Sequence, residues 1–573
     1  MRQIFTVTTF LFFLMTFNSY SQTDVNAGNT KYAKDNFTLG NFKGALDEYL
    51  LLIKTDSNNV TYNFRIGICY LYTNIDKTKA IPYLERAVTN PKVDPAAWYE
   101  LGHAYMLNNS LDTAIEYFGK YVTITNGKEN FEISSNRMIQ MCEEAKKQLK
   151  NPVDVTIENL GPEINSAGAD FNPYVPSDES FLVFTSKRFG NTGNLLDFDG
   201  FNTSDIYISY IKYDKWLKAK GIGNTINSEL VEETAGLTPD GTKLFVYCDN
   251  YNAMGQAMLS DRKGKAFQKP DFLGDNINSI KLVSSATMSP NKKILVISCD
   301  KNASGGGMDL YMARKLPSGA WSIPENLGEV INTVYDEDYP YFASDGKTLY
   351  FSSQGHESMG GFDIFKTVYD EKSNSWSNPV NIGYPVNTTD DDMTISFSAT
   401  GRHAYISSLR KGGYGDLDIY KVIFNDVDPA YTILSGLLVN KDSVSIFNVS
   451  DNAHLDSTNT DTLSIETIDN KEKKGKADFK KQKDSTSVNP HLPIETNVSI
   501  TVFDKTLSKV FGNYLPNKTS GKYLVILPPG DYELAVNADG YEKYVETIKV
   551  FDRSINNEIA KDIVLTPVEK KNK

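Results

Sequence analysis

The sequence predicts three folded parts in series: an all-α solenoid, an all-β region of repeated small sheets, and a β-sandwich. Three observations predict it. Gly and Ala recur at a spacing near 34 residues early in the chain. Turn-and-strand groups then recur every 51 to 62 residues between 153 and 424. Alternating strands punctuated by Pro and Gly follow. A chain of 573 residues has room for about four domains. Hydrophobic residues at 40% and charged residues at 23% can build cores. The 33 Tyr and 30 Phe favour sheet surfaces. A net charge of −13 argues against a nucleic-acid partner, because phosphate neutralisation needs a basic face. Four Cys with no C-x-x-C pair exclude a disulfide scaffold and a Cys-rich zinc module. No metal or cofactor is expected.

Residues 1–21 read as an export signal. Arg2 is the positive start, Ile4 to Phe17 is apolar, and Ser19-Tyr20-Ser21 is a small-x-small cleavage site before Gln22. The apolar run is shorter than the ~20 residues a membrane span needs. With Gln at position 22 and not Cys, no lipid attachment is expected at the cut. The mature chain is expected to be exported and soluble, docking on a membrane through a partner.

The solenoid is placed at 26–150. Its marks are Ala45, Ala80 and Ala114, Gly67 and Gly102, with Tyr49, Tyr70, Tyr83, Trp98, Tyr105 and Phe118 around them. Gly and Ala permit close helix crossing, and the aromatics fill the space between paired helices. This pattern resembles the tetratricopeptide repeat, with three repeats and a capping helix from about Phe131 to Leu149. The resemblance implies a groove lined by Phe64, Ile68 and Leu71 in the second repeat and Tyr99, His103 and Met106 in the third. An apolar, aromatic groove suits an extended peptide or a partner helix. The competing reading is that these residues pack under the capping helix or a neighbouring domain. His103 has no second ligand nearby in sequence, so it makes no metal site.

In the β region, placed at 153–426, each copy starts with Ile-Asn or Val-Asn: Asn165, Asn227, Asn278, Asn332 and Asn387. A hairpin turn such as Pro239-Asp240-Gly241 or Ser344-Asp345-Gly346 follows, then an alternating strand such as Leu244 to Tyr247. Asp205-Ile206-Tyr207, Asp309-Leu310-Tyr311, Asp363-Ile364-Phe365 and Asp418-Ile419-Tyr420 open the third strand, and Gln256-Ala257-Met258 departs from them. Four short strands per copy without helices is the pattern of a propeller blade. The Ser-x-Asp-Gly turn before a Leu-x-Phe strand resembles the WD40-like repeats of TolB-type propellers. Five blades are expected, six if a divergent copy is hidden. The fifth copy lacks a fourth strand, and Val153 to Leu160 is expected to supply it. Asp170, Glu232, Glu337 and Asp392 recur before the first strands, with Val283 in the third copy. Radial repetition could gather them at the channel mouth for a cation or a basic peptide. Solvated turn acids are the plainer alternative.

Residues 431–567 form the third part, interrupted by a polar stretch at 451–493 expected to be disordered, and 568–573 is a tail. Its Pro529-Gly530-Asp531-Tyr532 and Gly540-Tyr541 resemble the carboxypeptidase regulatory-like sandwich, a binding or spacer module.

This order of modules is similar to the PorE-like periplasmic family of Bacteroidota, associated with type IX secretion. The resemblance implies a non-enzymatic periplasmic scaffold, peripheral to the outer membrane, serving secretion or gliding machinery. Its partners would be other envelope proteins, above all an outer-membrane protein. Members usually add an OmpA-like domain that binds peptidoglycan. Its motifs are missing here, so direct peptidoglycan binding is not expected. Two other classes compete. A carbohydrate-active or hydrolytic propeller enzyme would have to use Asp170, Glu232, Glu337 and Asp392. No H-E-x-x-H or G-x-S-x-G accompanies them, and no catalytic residue is expected. A cell-surface adhesin is the third.

Overall fold

Asparagine and serine side chains open most of the helices. Asn29 accepts the Tyr32 N–H at 3.1 Å ahead of α1 (Thr30–Leu39). Asn41 accepts that of Gly44 at 2.7 Å ahead of α2 (Phe42–Leu52). Asn59 accepts that of Tyr62 at 3.0 Å ahead of α3 (Val60–Leu71). Such caps satisfy N–H groups that the helix itself leaves unpaired. Next come α4 (Ala80–Val88), α5 (Ala96–Leu107), α6 (Leu111–Thr125) and α7 (Ser135–Lys150). The capping helix begins at Ser135 and not at Phe131, because Ser134 accepts the Arg137 N–H at 3.2 Å. Phe131 is instead a packing residue of the preceding loop, stacked on Tyr99 with ring centroids 3.6 Å apart.

These elements belong to a computed structural model that describes residues 28–212, 215–249, 255–280, 282–300, 307–447, 497–518, 520–553 and 556–568. The expected export signal, the polar stretch at 451–493 and the last five residues lie outside the described residues. The chain divides into two units, Met1–Asp428 and Pro429–Lys573.

Helices pair because small residues let them. A Cβ at Gly67 would lie 2.4 Å from Leu84 Cγ, so α3 and α4 meet where a side chain is missing. At Gly119 on α6 a Cβ would meet nothing within 4 Å. Gly67→Ala should therefore destabilise by about 1–3 kcal/mol. Gly119→Ala should stabilise by up to about 1 kcal/mol through helix propensity. Thermal unfolding of the two variants should move in opposite directions.

Five antiparallel sheets follow. The first runs in the order Asp170–Tyr174, Phe181–Ser186, Asp205–Lys212, Lys215–Trp216, with Lys220–Gly221 also on its third strand. The second is Val231–Leu237, Lys243–Asp249, Gln256–Lys263, Ala266–Phe267. The third is Val283–Met288, Ile294–Cys299, Asp309–Arg314, Glu325–Asn326. The fourth is Glu337–Phe342, Thr348–Ser353, Asp363–Asp370, Ser375–Trp376, with Val380–Asn381 on its third strand. The fifth is Ile395–Phe397, His403–Ser408, Asp418–Phe424 and, as its last strand, Val155–Asn159 from before the first sheet. That strand pairs from Val155↔Phe424 to Asn159↔Tyr420.

Successive sheets are pinned to each other by one repeated amide. Asn227 accepts the Ile206 N–H and donates to the Ile206 carbonyl, both at 3.0 Å. Asn332 does the same to Leu310, and Asn387 to Ile364, all at 2.9 Å. Asn165 clamps Ile419 and so joins the fifth sheet to the first. A carboxamide carries, side by side, both the donor and the acceptor this requires. At the second-to-third seam, where Gln256 replaces Asp, Asn278 donates to the Gln256 side chain at 3.0 Å.

The second unit holds two sheets. One orders Lys522–Leu527, Thr432–Val439 and Asn557–Ala560, with Ile563–Val564 also on Thr432–Val439. The other orders Lys509–Tyr514, Val498–Asp504, Gly530–Ala538 and Tyr544–Val550. Alternate residues of both, among them Leu434, Ile500, Val525 and Leu534, share one apolar core. The Tyr532 hydroxyl donates back to the Pro528 carbonyl at 3.1 Å, fixing the Pro-Gly turn.

Candidate functional site

Asp170, Glu232, Glu337 and Asp392 each fold back on the Ser or Thr four residues earlier. Asp170 accepts the Ser166 N–H at 2.6 Å and its hydroxyl at 2.8 Å. Glu232 accepts from Ser228 at 2.7 and 2.5 Å. Glu337 accepts from Thr333 at 2.7 and 2.8 Å, and Asp392 from Thr388 at 2.5 and 2.9 Å. Their exposures are 0, 0, 0 and 2%. The expectation of a channel-mouth ring is therefore corrected. These carboxylates close the turn after each clamping Asn and are buried in doing so. In the third copy the same place is filled by buried Val283, which is apolar and needs no partner.

In four of the five sheets the Asp that opens the third strand is buried too. Asp363 accepts the Met359 N–H at 2.8 Å and the Asn381 amide at 2.7 Å. Burial pushes its carboxyl up to about 7. Glu337 is likewise pushed up to about 7 by burial, against the hydrogen bonds from Ser353 and Thr333. Asp392 is raised by burial and then by the neighbouring Asp363 charge.

The tetratricopeptide groove positions divide in two. Leu71, Tyr99 and Met106 are 3, 5 and 1% exposed. Tyr99 lies under Phe131 and donates its hydroxyl to the Ile133 carbonyl at 2.9 Å. Met106 shares an apolar cluster with Met359 of the β region. For these three the groove expectation is corrected: they pack inside the first unit. Phe64, Ile68 and His103 are half-buried. The His103 ring meets that of Tyr72 edge-on at 6.3 Å.

Residues that the sequence did not single out build the junction between helices and sheets. Arg137 of α7, 8% exposed, donates to the carbonyls of Gln354, Gly355 and His356 at 2.8 to 3.2 Å and lies over the Tyr335 ring. In the first and fifth sheets the site equivalent to Gly355 carries Arg188 and Arg410. Arg188 donates to the Ile164 carbonyl and to Asp170, and Arg410 to the Pro385 carbonyl. The fourth sheet lacks that arginine, and α7 supplies one from outside. Lys77 grips both oxygens of Asp390 at 2.7 Å.

Beside that ion pair lies a cavity of about 310 Å³. Its walls include Phe42, Tyr72 and Lys77 from the helical part and Phe171, Tyr339 and Asp391 from the β region. The Tyr72 hydroxyl donates to buried Glu100 at 3.1 Å.

Residues 95–127 match the model of the tetratricopeptide repeat. No curated protein matches the chain. Among solved structures, MamA is 20% identical over 22% of this chain and 67% of its own, with a TM-score of 0.18. A structure titled glycoside hydrolase is 10% identical over 51% of this chain and 96% of its own, at 0.33. Hydrazine synthase of Kuenenia stuttgartiensis is 13% identical over 49% and 74%, at 0.26. At such scores these likenesses carry nothing about the chemistry of this chain. Its first part is helical with a tetratricopeptide repeat, and the region after it is mostly β. Among the described residues no helix is long and apolar enough to cross a membrane.

Proposed function

We propose that the chain is a non-enzymatic periplasmic scaffold of the PorE-like kind, peripheral to the outer membrane and bound to secretion or gliding machinery there. On this reading the five sheets are five propeller blades closed by Val155–Asn159, and the sheets after Pro429 form the regulatory-like sandwich. What supports it most is the fate of the repeated acids. Acid–base hydrolysis needs two carboxyls that reach a substrate. Asp170, Glu232, Glu337 and Asp392 are instead spent on turns within the fold. The tetratricopeptide match supports protein–protein interaction in general.

Crosslinking in intact cells followed by mass spectrometry tests the proposal. The expected result is an outer-membrane protein crosslinked to lysines of residues 28–428. Recovery of no envelope protein above an unrelated exported control would sink it.

A further inference from the structure

The cavity at the junction carries a charge imbalance. Four carboxylates, Asp199, Asp390, Asp391 and Asp416, line it against two ammonium groups, Lys77 and Lys187. Both lysines are already committed: Lys77 to Asp390 at 2.7 Å, and Lys187 to Asp199 at 2.6 Å and Asp197 at 3.2 Å. Asp391 and Asp416 have no lysine of their own there. Asp391 accepts the Phe362 N–H at 2.9 Å; Asp416 accepts that of Leu417 at 2.6 Å and one hydrogen bond from the Asn74 side chain. Each thus keeps acceptor capacity for a ligand. Asp391 is solvent-accessible although desolvation, and then the Asp390 charge, raises its carboxyl above the usual range. Asp391 lines the cavity wall.

Five rings, Phe42, Tyr72, Phe171, Phe201 and Tyr339, stand among the other wall residues. Ring faces attract cations, and most of all the flat, weakly hydrated guanidinium. A volume of about 310 Å³ is at the small end of ligand pockets and has room for one long side chain. Next to it, the loop from Phe189 to Phe201 leaves Phe189, Leu196 and Phe198 at 86, 71 and 72% exposure. The Phe198 ring lies 3.8 Å from where a Cβ of Gly40 would sit, and Gly40 is itself in the cavity wall. The loop therefore offers apolar ground at the edge of the acidic recess.

We propose that this cavity takes the guanidinium side chain of an arginine on a partner protein, with apolar neighbours of that arginine resting on the exposed phenylalanine loop. This rests on the scaffold reading and adds what the scaffold recognises.

Calorimetric titration of the full chain with an N-acetylated, C-amidated leucine–arginine–leucine peptide tests it. The expected result is saturable binding of one peptide per chain, at least tenfold tighter than for the same peptide with citrulline, which keeps the shape and loses the charge. Asp391→Asn should weaken the arginine peptide at least tenfold. Its carboxamide oxygen still accepts the Phe362 N–H, so the fold is retained. Asp416→Asn should do the same, and melting curves of both variants should match that of the unaltered chain. Equal binding of the citrulline peptide, no saturable binding of either, or an affinity unmoved in both folded variants overturns the proposal. The crosslinking result is independent. An envelope partner found with no arginine binding removes the cavity proposal alone, and arginine binding with no partner removes the scaffold reading alone.

Discussion

Arg137→Ala should lower the stability of the first unit by roughly 3–5 kcal/mol, the range for stripping a buried, charged hydrogen-bonding group from its partners. The side chain satisfies three carbonyls of one turn, those of Gln354, Gly355 and His356. Alanine would leave all three without this donor, beside a position that is 8% exposed. Arg137→Lys should recover little, because one ammonium cannot reach three carbonyls as a planar fork does. The measurement is the unfolding midpoint in denaturant together with limited proteolysis. The variant should be cut near residues 150–154, between α7 and the strand Val155–Asn159, under conditions where the unaltered chain is not. Unchanged midpoint and cleavage would show that the helical part is held on by other contacts.

Raising the pH from 5 to 8 should destabilise the β region, and Glu337→Gln should remove part of that slope. Glu337 keeps its proton up to about 7 in the fold, whereas an unfolded glutamate releases it near 4.5. Between those values the folded chain binds more protons, so its stability is full below the lower value and falls as pH rises through the upper one. The size is about 3 kcal/mol for such a separation. Asp363, also raised to about 7, acts in the same direction. Glu179, which the His403 ring holds low despite burial, acts only at more acid pH, but other groups also titrate between 5 and 8. The useful quantity is therefore the difference between unaltered chain and variant at each pH. Glutamine can still accept from Thr333, so the variant should be the more stable at pH 8 and gain nothing at pH 5. A constant difference across that range would count against a protonated Glu337.

The periodic parts of this architecture were legible because each repeat states its own local chemistry. Turn residues and alternating strands can be read within one copy. Val155–Asn159 was legible for a related reason: the fifth copy was one strand short. The Ile-Asn pairs were visible as a recurring mark, but their work was not. Each Asn acts on the sheet before its own, and spacing alone does not show that direction. The acids misled for a similar reason. A carboxylate beside Ser or Thr at a separation of four looks the same whether it points to a channel or back to its own turn. The contact of Arg137 with Gln354 joins parts of the chain 217 positions apart, beyond any local pattern. A faint signal did exist, since Ser186 and Ser408 are followed two residues later by Arg and Ser353 is followed by Gly. The cavity had no such trace, because it arises only where two differently built surfaces meet.

The strand Val155–Asn159 starts five residues after α7 ends, and its partners at Tyr420–Phe424 are among the last of the β region to be synthesised. On a ribosome this segment is among the first β residues to emerge and must wait for the rest before it finds its mate. In the finished molecule it is also where a mechanical load applied through the helices first arrives. Tension would then act along one ladder of five residue pairs, placed in the direct line of pull.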